Sequence, residues 1–406
     1  MHVSRRPLPR QTEISERRRI LVMVVLALGG VGIGITEFVS MGLLRLIADD
    51  FRITEDAAGH IITAYALGVV VDAPLITVFT GLFPRRRLLL FLMAAFTIGN
   101  GMSMFAGGYG SLLVARFIAG LPHGAYFSVS ALASASMAPA GQRGRAMAFS
   151  GMGFSVGTVA GVPAAQALGQ ALGWQVAYAL VAAVGLTTVT LLWFFMPHMT
   201  KMPATSPLTE LSALSKPQVW ARLAIGTIGF GGMFCVYTYI SWTMTERAGL
   251  NPVFIPLVLA FYGLGGLAGT WFGGWLSDRN LEFGIAFAFG CILLACTGFY
   301  FTSQWPIPGT LNFGLVGFFG SALIPSLQMR LLQVAGKAQT LAAAMNQSAL
   351  NLANAAGATL GGMVIARGLG YASPSLVGAG LAAIALVIWA VAAKLRNDAR
   401  VRMVRS

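Results

Sequence analysis

Charge is what this chain has least of. Asp, Glu, Lys and Arg together make up 10% of its 406 residues, where a soluble chain carries about a quarter. With 56% hydrophobic residues and a mean hydropathy of +0.75, the composition is that of a membrane protein, and it excludes a soluble globule. Cysteine is scarce as well. Cys235, Cys291 and Cys296 all lie inside apolar runs with no histidine nearby, which excludes a disulfide framework and a metal site and leaves them as small core residues. The chain has no His-Glu-x-x-His pattern, no nucleotide-binding loop and no long extramembrane segment, so an enzyme is not expected. A cleavable signal peptide is not expected either, because the first apolar run is too long for one and holds no small-residue cleavage site.

What charge there is has a pattern. The net charge of +14 suggests nucleic acid in a soluble protein, but here the bases sit at membrane edges. Arg5, Arg6, Arg10, Arg17, Arg18 and Arg19 precede the first apolar run, and Lys394, Arg396, Arg400, Arg402 and Arg405 follow the last. Both ends therefore read as cytoplasmic tails that orient the protein and touch anionic lipid.

Apolar runs of membrane-crossing length recur at 20–44, 57–82, 87–107, 110–138, 144–170, 174–196, 218–245, 252–277, 282–302, 307–332, 338–366 and 372–394. The connections alternate in charge. One set holds Arg85, Arg86, Arg87, Arg143, Arg145, Lys201, Lys216, Arg222, Arg279, Arg330 and Lys337; the other holds only Arg45, Arg52, Arg247 and Arg367. This predicts an all-α membrane protein of twelve transmembrane helices with both termini cytoplasmic. Its parts are a basic tail 1–19, a six-helix bundle 20–196, a Pro- and Ser-rich cytoplasmic linker 197–217, a second six-helix bundle 218–395 and a basic tail 396–406.

The halves resemble each other weakly. Gly81 matches Gly274, Ala140-Gly141 matches Ala335-Gly336, and Gly173-Trp174 matches Gly370-Tyr371, at offsets between 193 and 197 residues. Parallel repeats of this kind imply a site at their interface near the midplane, as in many secondary transporters.

Charges inside the spans are few, and such groups normally face a bundle interior. Glu37 lies in the first span, Asp72 in the second and Arg116 in the fourth, with His123 further along the fourth near the midplane, as a residue of the substrate cavity or a packed, hydrogen-bonding histidine. Glu37 and Arg116 lie at similar depth, which predicts a pair. In the fifth span Gly153, Gly157, Gly161, Gly169 and Gly173 recur every four residues, with Pro163 among them. That makes a face almost without side chains, suited either to tight packing or to a sliding, occluding surface. The eighth span ends in GGWLSDRN, where Gly274, Asp278 and Arg279 suggest a latch between helix ends. Gln347, Asn351 and Asn354 share one face of the eleventh span, as hydrogen-bonding groups for a polar substrate or as glue between helices.

At these residues the chain resembles the major facilitator superfamily, and within it the arabinose-efflux-permease-like branch of the drug:proton antiporter-1 group. The resemblance covers nearly all of 20–395. It rests on TEFVSMGLL, YALGVVVDAP, PRRRLLL, ARFIAGLPHGAYF, GVPAAQALGQALGW and the MNQSALNLANAAGATLGG region. It implies export of sugars, nucleobases or drugs across a bacterial inner membrane by alternating access, against inward proton flow. The partners it implies are a small molecule, protons and lipid, without nucleic acid, cofactor or metal, for a monomer.

By the same resemblance Arg116 matches the basic position of the fourth-helix motif tied to proton coupling. Gly153, Gly157, Gly161 and Pro163 match the antiporter motif, and Gly274, Asp278 and Arg279 match the second-half copy of the loop signature. Asp72 stands where the branch usually has glycine, which adds a second acid to the coupling candidates Glu37 and Arg116. A uniporter with a permanent Glu37–Arg116 pair is the other reading on the same scaffold, and a polytopic sensor or enzyme the alternative from another class. Reporter fusions in the 197–217 loop and after Ser406 are expected to report cytoplasm; a periplasmic signal at either point refutes the two-by-six layout.

Overall fold

The computed structural model of the chain describes residues 15–79, 83–139, 142–197, 212, 214–335 and 339–405. The tail before residue 15, most of the linker 197–217 and the repeat marks at Gly81, Ala140, Gly141 and Gly336 lie outside the described residues.

In an apolar medium backbone groups have no water to bond, so a spanning chain satisfies them within helices. The elements among the described residues are all helical: α1 (Glu16–Phe51), α2 (Glu55–Phe79), α3 (Arg85–Met104), α4 (Tyr109–Gly120), α5 (His123–Met137), α6 (Arg143–Val156), α7 (Val162–Leu172), α8 (Trp174–Phe195), α9 (Pro217–Thr238), α10 (Ile255–Arg279), α11 (Leu281–Thr302), α12 (Pro306–Ala335), α13 (Gln339–Ala366) and α14 (Ser373–Arg405). Short turns at Ile240–Trp242 and Thr243–Arg247 prolong α9. Eleven stretches among the described residues are long and apolar enough to cross a membrane. α2, with 25 residues, packs among them. Their outer faces are apolar, with Phe91, Trp271, Leu294 and Ile307 each more than 70% exposed.

Two of the expected spans are interrupted. The fourth is α4 followed by α5, broken at Leu121-Pro122, because Pro122 has no N–H and its ring displaces the carbonyl one turn back. The fifth is α6 and α7 joined by a π-helical turn at Gly157–Gly161, immediately before Pro163. The first helix also runs beyond the expected 20–44 at both ends, to 36 residues.

Helices α1–α8 pack on one another, as do α9–α14, except that α2 makes its most extensive contact across the two groups, with α13. The two groups meet along α2 against α13, α7 against α10, and α1 against the Ile240–Trp242 turn. The seam is pinned at one end, where α1 finishes and α2 begins. There Arg45 forms an ion pair with Glu246 and donates to Thr245 Oγ1. Tyr371 donates to Glu55 Oε1 at 3.1 Å, and Gln170 Nε2 to the Pro252 carbonyl at 2.8 Å.

The small face of the fifth span is turned to α1. A Cβ on Gly153 would collide with the Ala27 carbonyl, on Gly157 it would stand 2.5 Å from the Val31 carbonyl oxygen, and on Gly161 2.5 Å from Ile35 Cγ1. The stripe is thus a tight seam inside the first half. Gly151, on the same helix, has open space beyond its Cα. Gly157→Leu is expected to cost about 1–3 kcal/mol through overpacking and to lower the thermal unfolding midpoint in detergent, whereas Gly151→Leu leaves it within a degree or so.

Candidate functional site

Successive residues of a helix point about 100° apart, so neighbours on α1 serve different partners. Thr36 faces inward to α3 and α4. Its hydroxyl donates to Asn100 Oδ1 at 2.6 Å and accepts from Arg116 Nη1 at 2.7 Å, and its carbonyl accepts from Arg116 Nη2 at 2.9 Å. Asn100 completes the chain by donating to the Phe96 carbonyl at 2.9 Å. The Arg116 guanidinium lies 4.4 Å from the Tyr65 ring centre and 5.2 Å from that of Tyr178. Arg116 is fully buried, and a buried guanidinium is tolerable only when its N–H groups find acceptors or aromatic faces.

Glu37 points elsewhere. It is 6% exposed, and the expected direct pair with Arg116 is not formed: the guanidinium is turned to Thr36, one residue away. The basic group nearest the acid is His123, whose Nε2 lies 3.9 Å from Glu37 Oε2. His123 Nε2 has no hydrogen-bond partner, while Nδ1 meets the Tyr65 hydroxyl at 3.0 Å. Next to Glu37, Phe38 reaches across to the second half, 5.2 Å from the Tyr237 ring and 6.4 Å from that of Phe234. Tyr237 continues to Tyr262 at 4.4 Å. The acid therefore sits beside the contact of the two halves.

Asp72 does not join Glu37. Its Oδ2 accepts the Ala125 N–H at 2.6 Å, in the first turn of α5. Across the seam, Gln347 of α13 comes to this same turn, its Cβ 4.0 Å from where a Cβ on Gly124 would lie. Asn351 donates to the Gln347 carbonyl of its own helix at 3.2 Å. Asn354 is buried and neither its oxygen nor its nitrogen has a hydrogen-bond partner. In this conformation the amides do not glue helices together; they leave polar capacity unspent.

The residues of the loop signature lie apart from these groups. Arg279 stacks 4.0 Å from the Trp275 ring centre, and among the described residues neither it nor Asp278 forms an ion pair. Near that end Arg330 and Glu282 form an ion pair at 3.1 Å, with Trp389 Nε1 donating to Glu282 at 2.9 Å. Gly274 has open space, whereas Gly265, Gly269 and Gly273 press on the backbone of α12. That second stripe, and the Thr36–Asn100–Tyr65–Tyr178 surroundings of Arg116, escaped the sequence reading. The glycine spacing of four and a lone amide in an apolar third span were the signals available.

Fold and site together define a class, a polytopic helical membrane protein whose two helix groups meet around ionisable residues kept out of lipid. The family follows from comparison. Residues 26–315 match the family model of the Major Facilitator Superfamily. The chain is 36% identical over 376 residues to the inner membrane transport protein YdhP of Escherichia coli O157:H7, which covers 93% of this chain and 97% of that protein. It belongs to the Major Facilitator Superfamily and is a multi-pass inner membrane protein. It is also similar to a probable sugar efflux transporter of Helicobacter pylori (strain P12), 29% identical with 86% and 90% of the two chains covered. A crystal structure of a bacterial homolog to the human lysosomal transporter Spinster, inward-facing and unoccupied, aligns with a TM-score of 0.77 at 14% identity over 94% of this chain and 98% of that one, a likeness of fold alone.

Thr36→Val removes the hydroxyl that serves both Arg116 and Asn100. A lost hydrogen bond to a buried charge costs about 1.5–3 kcal/mol, so this variant is expected to unfold at a clearly lower temperature. Glu37→Gln, which breaks no ion pair with Arg116, is expected to remain near the wild-type midpoint.

Proposed function

We propose that the protein exports small polar or aromatic molecules by alternating access, driven by inward proton flow, with Glu37 as the coupling acid and Arg116 as a fixed neighbouring charge. The twelve-helix layout with bundles 20–196 and 218–395 and cytoplasmic termini belongs to this reading. In it, the end pinned by Arg45 and Glu246 is the periplasmic one, and the conformation is closed to the outside.

One observation carries the proposal. A carboxyl group is buried at the meeting of the halves, beside a histidine nitrogen with no hydrogen-bond partner, and the nearby arginine turns both of its Nη groups to Thr36. A permanently paired acid gains little from losing its charge, whereas an acid without a direct ionic partner changes the energy of the closed seam each time it takes up or releases a proton. An uncompensated buried charge costs several kcal/mol. In the outward-facing state Glu37 takes a proton from outside and the neutral carboxyl enters the closed seam; in the inward-facing state the proton leaves to the cytoplasm. His123 can meet either form of the acid, since a neutral imidazole offers one nitrogen as donor and one as acceptor.

The substrate reading rests on two further features. Asn354 and Gln347 offer amide groups to hydroxyl-rich or nucleobase-like molecules, and Phe38, Tyr237 and Tyr262 offer ring faces to aromatic drugs. Export of sugars accords with the name of the Helicobacter pylori relative. The test is a proteoliposome assay that follows internal pH while arabinose, uracil and ethidium are supplied in turn. Wild-type protein is expected to couple at least one of these to proton movement. Glu37→Gln is expected to bind that molecule while its gradient-driven flux falls to that of empty liposomes, and Glu37→Asp to retain part of it. Wild-type flux in Glu37→Gln refutes the coupling role.

A further inference from the structure

The fourth span stops and restarts within the membrane. α4 ends at Gly120 and α5 begins at His123. The first amides of a helix have no partner inside it, and in hydrocarbon there is no water to serve them. The residue at the N-cap position of α5 is Pro122, which makes no side-chain cap. The acceptor comes from another helix. Asp72 of α2, 5% exposed, takes the Ala125 N–H at 2.6 Å. Ala125 is the third residue of α5, the position that a local Ser or Asp cap normally serves.

The approach is built into the surrounding sequence. α2 and α4 cross with backbones touching at Gly68 and Gly120, where a Cβ on either would strike a carbonyl of the other helix, that of Phe117 or of Tyr65. Asp72 lies one turn beyond Gly68, so the crossing aims it at the break. Gly124 lacks the Cβ that would stand 3.1 Å from Asp72 Oδ2. α2 then holds the first turn of α5 at two points, since Tyr65, two turns before Asp72, meets His123 Nδ1 at 3.0 Å. His123 is the first residue of α5 and the neighbour of Glu37.

We infer that Asp72 is a positioning residue, a helix cap supplied in trans that sets His123 against Glu37, and that it works through an acceptor oxygen and not through its charge. The consequence for Glu37 rests on the proton-coupling reading above; the cap itself does not. The assignment separates Asp72 from the coupling acids with which its burial in the same half had grouped it.

The discriminating property is that asparagine caps a helix about as well as aspartate, while alanine does not. His123 is fully buried and His60 is exposed, so acylation by diethyl pyrocarbonate, mapped by peptide mass spectrometry on the purified full-length protein, reads the seating of α5 with His60 as internal reference. Wild type and Asp72→Asn are expected to protect His123 equally. Asp72→Ala is expected to label about tenfold faster, equivalent to about 1.4 kcal/mol of lost local stability, and added formate, a carboxylate small enough for the vacated space, to restore protection. Asp72→Asn labelling as fast as Asp72→Ala, or Asp72→Ala as protected as wild type, overturns the cap. Should Asp72→Ala fail to accumulate in the membrane, Asp72→Asn decides alone, protection supporting the inference and labelling refuting it. Glu37→Gln leaves the acceptor of Ala125 in place and is expected to keep His123 protected, so failure of the coupling reading and failure of the cap show in different variants.

Discussion

A peptide N–H buried without an acceptor costs several kcal/mol in hydrocarbon, and the break at Leu121-Pro122 creates that situation in the middle of a span. Much of the first half is arranged around its relief. Gly68 and Gly120 let α2 and α4 touch, the touching brings Asp72 to the first turn of α5, and Gly124 leaves room for its oxygen. His123, the first residue of α5, lies with its Nε2 3.9 Å from Glu37 Oε2.

The buried charges are handled separately from the break. Arg116 is held by both polar groups of Thr36 and by two tyrosine rings, and the hydroxyl of Thr36 is itself anchored on Asn100. Chains of this kind strengthen each bond in them and fix a single orientation. Because the guanidinium is engaged one residue away, Glu37 stays within the field of a positive charge without being locked to it.

Close packing through glycine occurs both within each half and between the halves. The fifth span lies on α1, and α10 lies on α12, each through glycines whose Cβ atoms would strike backbone or side chains of the partner. Glycines also bring the halves together, since a Cβ on Gly362 of α13 would stand 3.1 Å from Asp56 Cα and one on Gly263 of α10 2.9 Å from Val159 Cα. Between the halves, the pinning at the Arg45 end is polar: an ion pair and hydrogen bonds between groups that are half-buried or exposed. Polar contacts of this kind are worth little each.

Composition and the spacing of apolar runs were enough to read an all-helical membrane protein, because the bilayer imposes a length and an internal hydrogen-bonding rule on every span. The same physics made Glu37, Asp72, Arg116 and His123 stand out, since an ionisable residue in an apolar run is costly wherever it faces. The glycine stripe of the fifth span was legible too, though its partner was not. Tertiary structure decided who meets whom. Depth along the membrane suggested that Glu37 and Arg116 pair, but a contact depends on helix rotation as well as depth. The side chain that reaches Arg116 is Thr36, 100° around α1 from Glu37. Asp72 likewise read only as a second acid in the same half, and it is the packing of α2 on α5 that sets its Oδ2 against the Ala125 N–H. Sequence determined which groups had to be satisfied inside the membrane; only the packing of helices, through residues as small as Gly68 and Gly120, selected the partners that satisfy them.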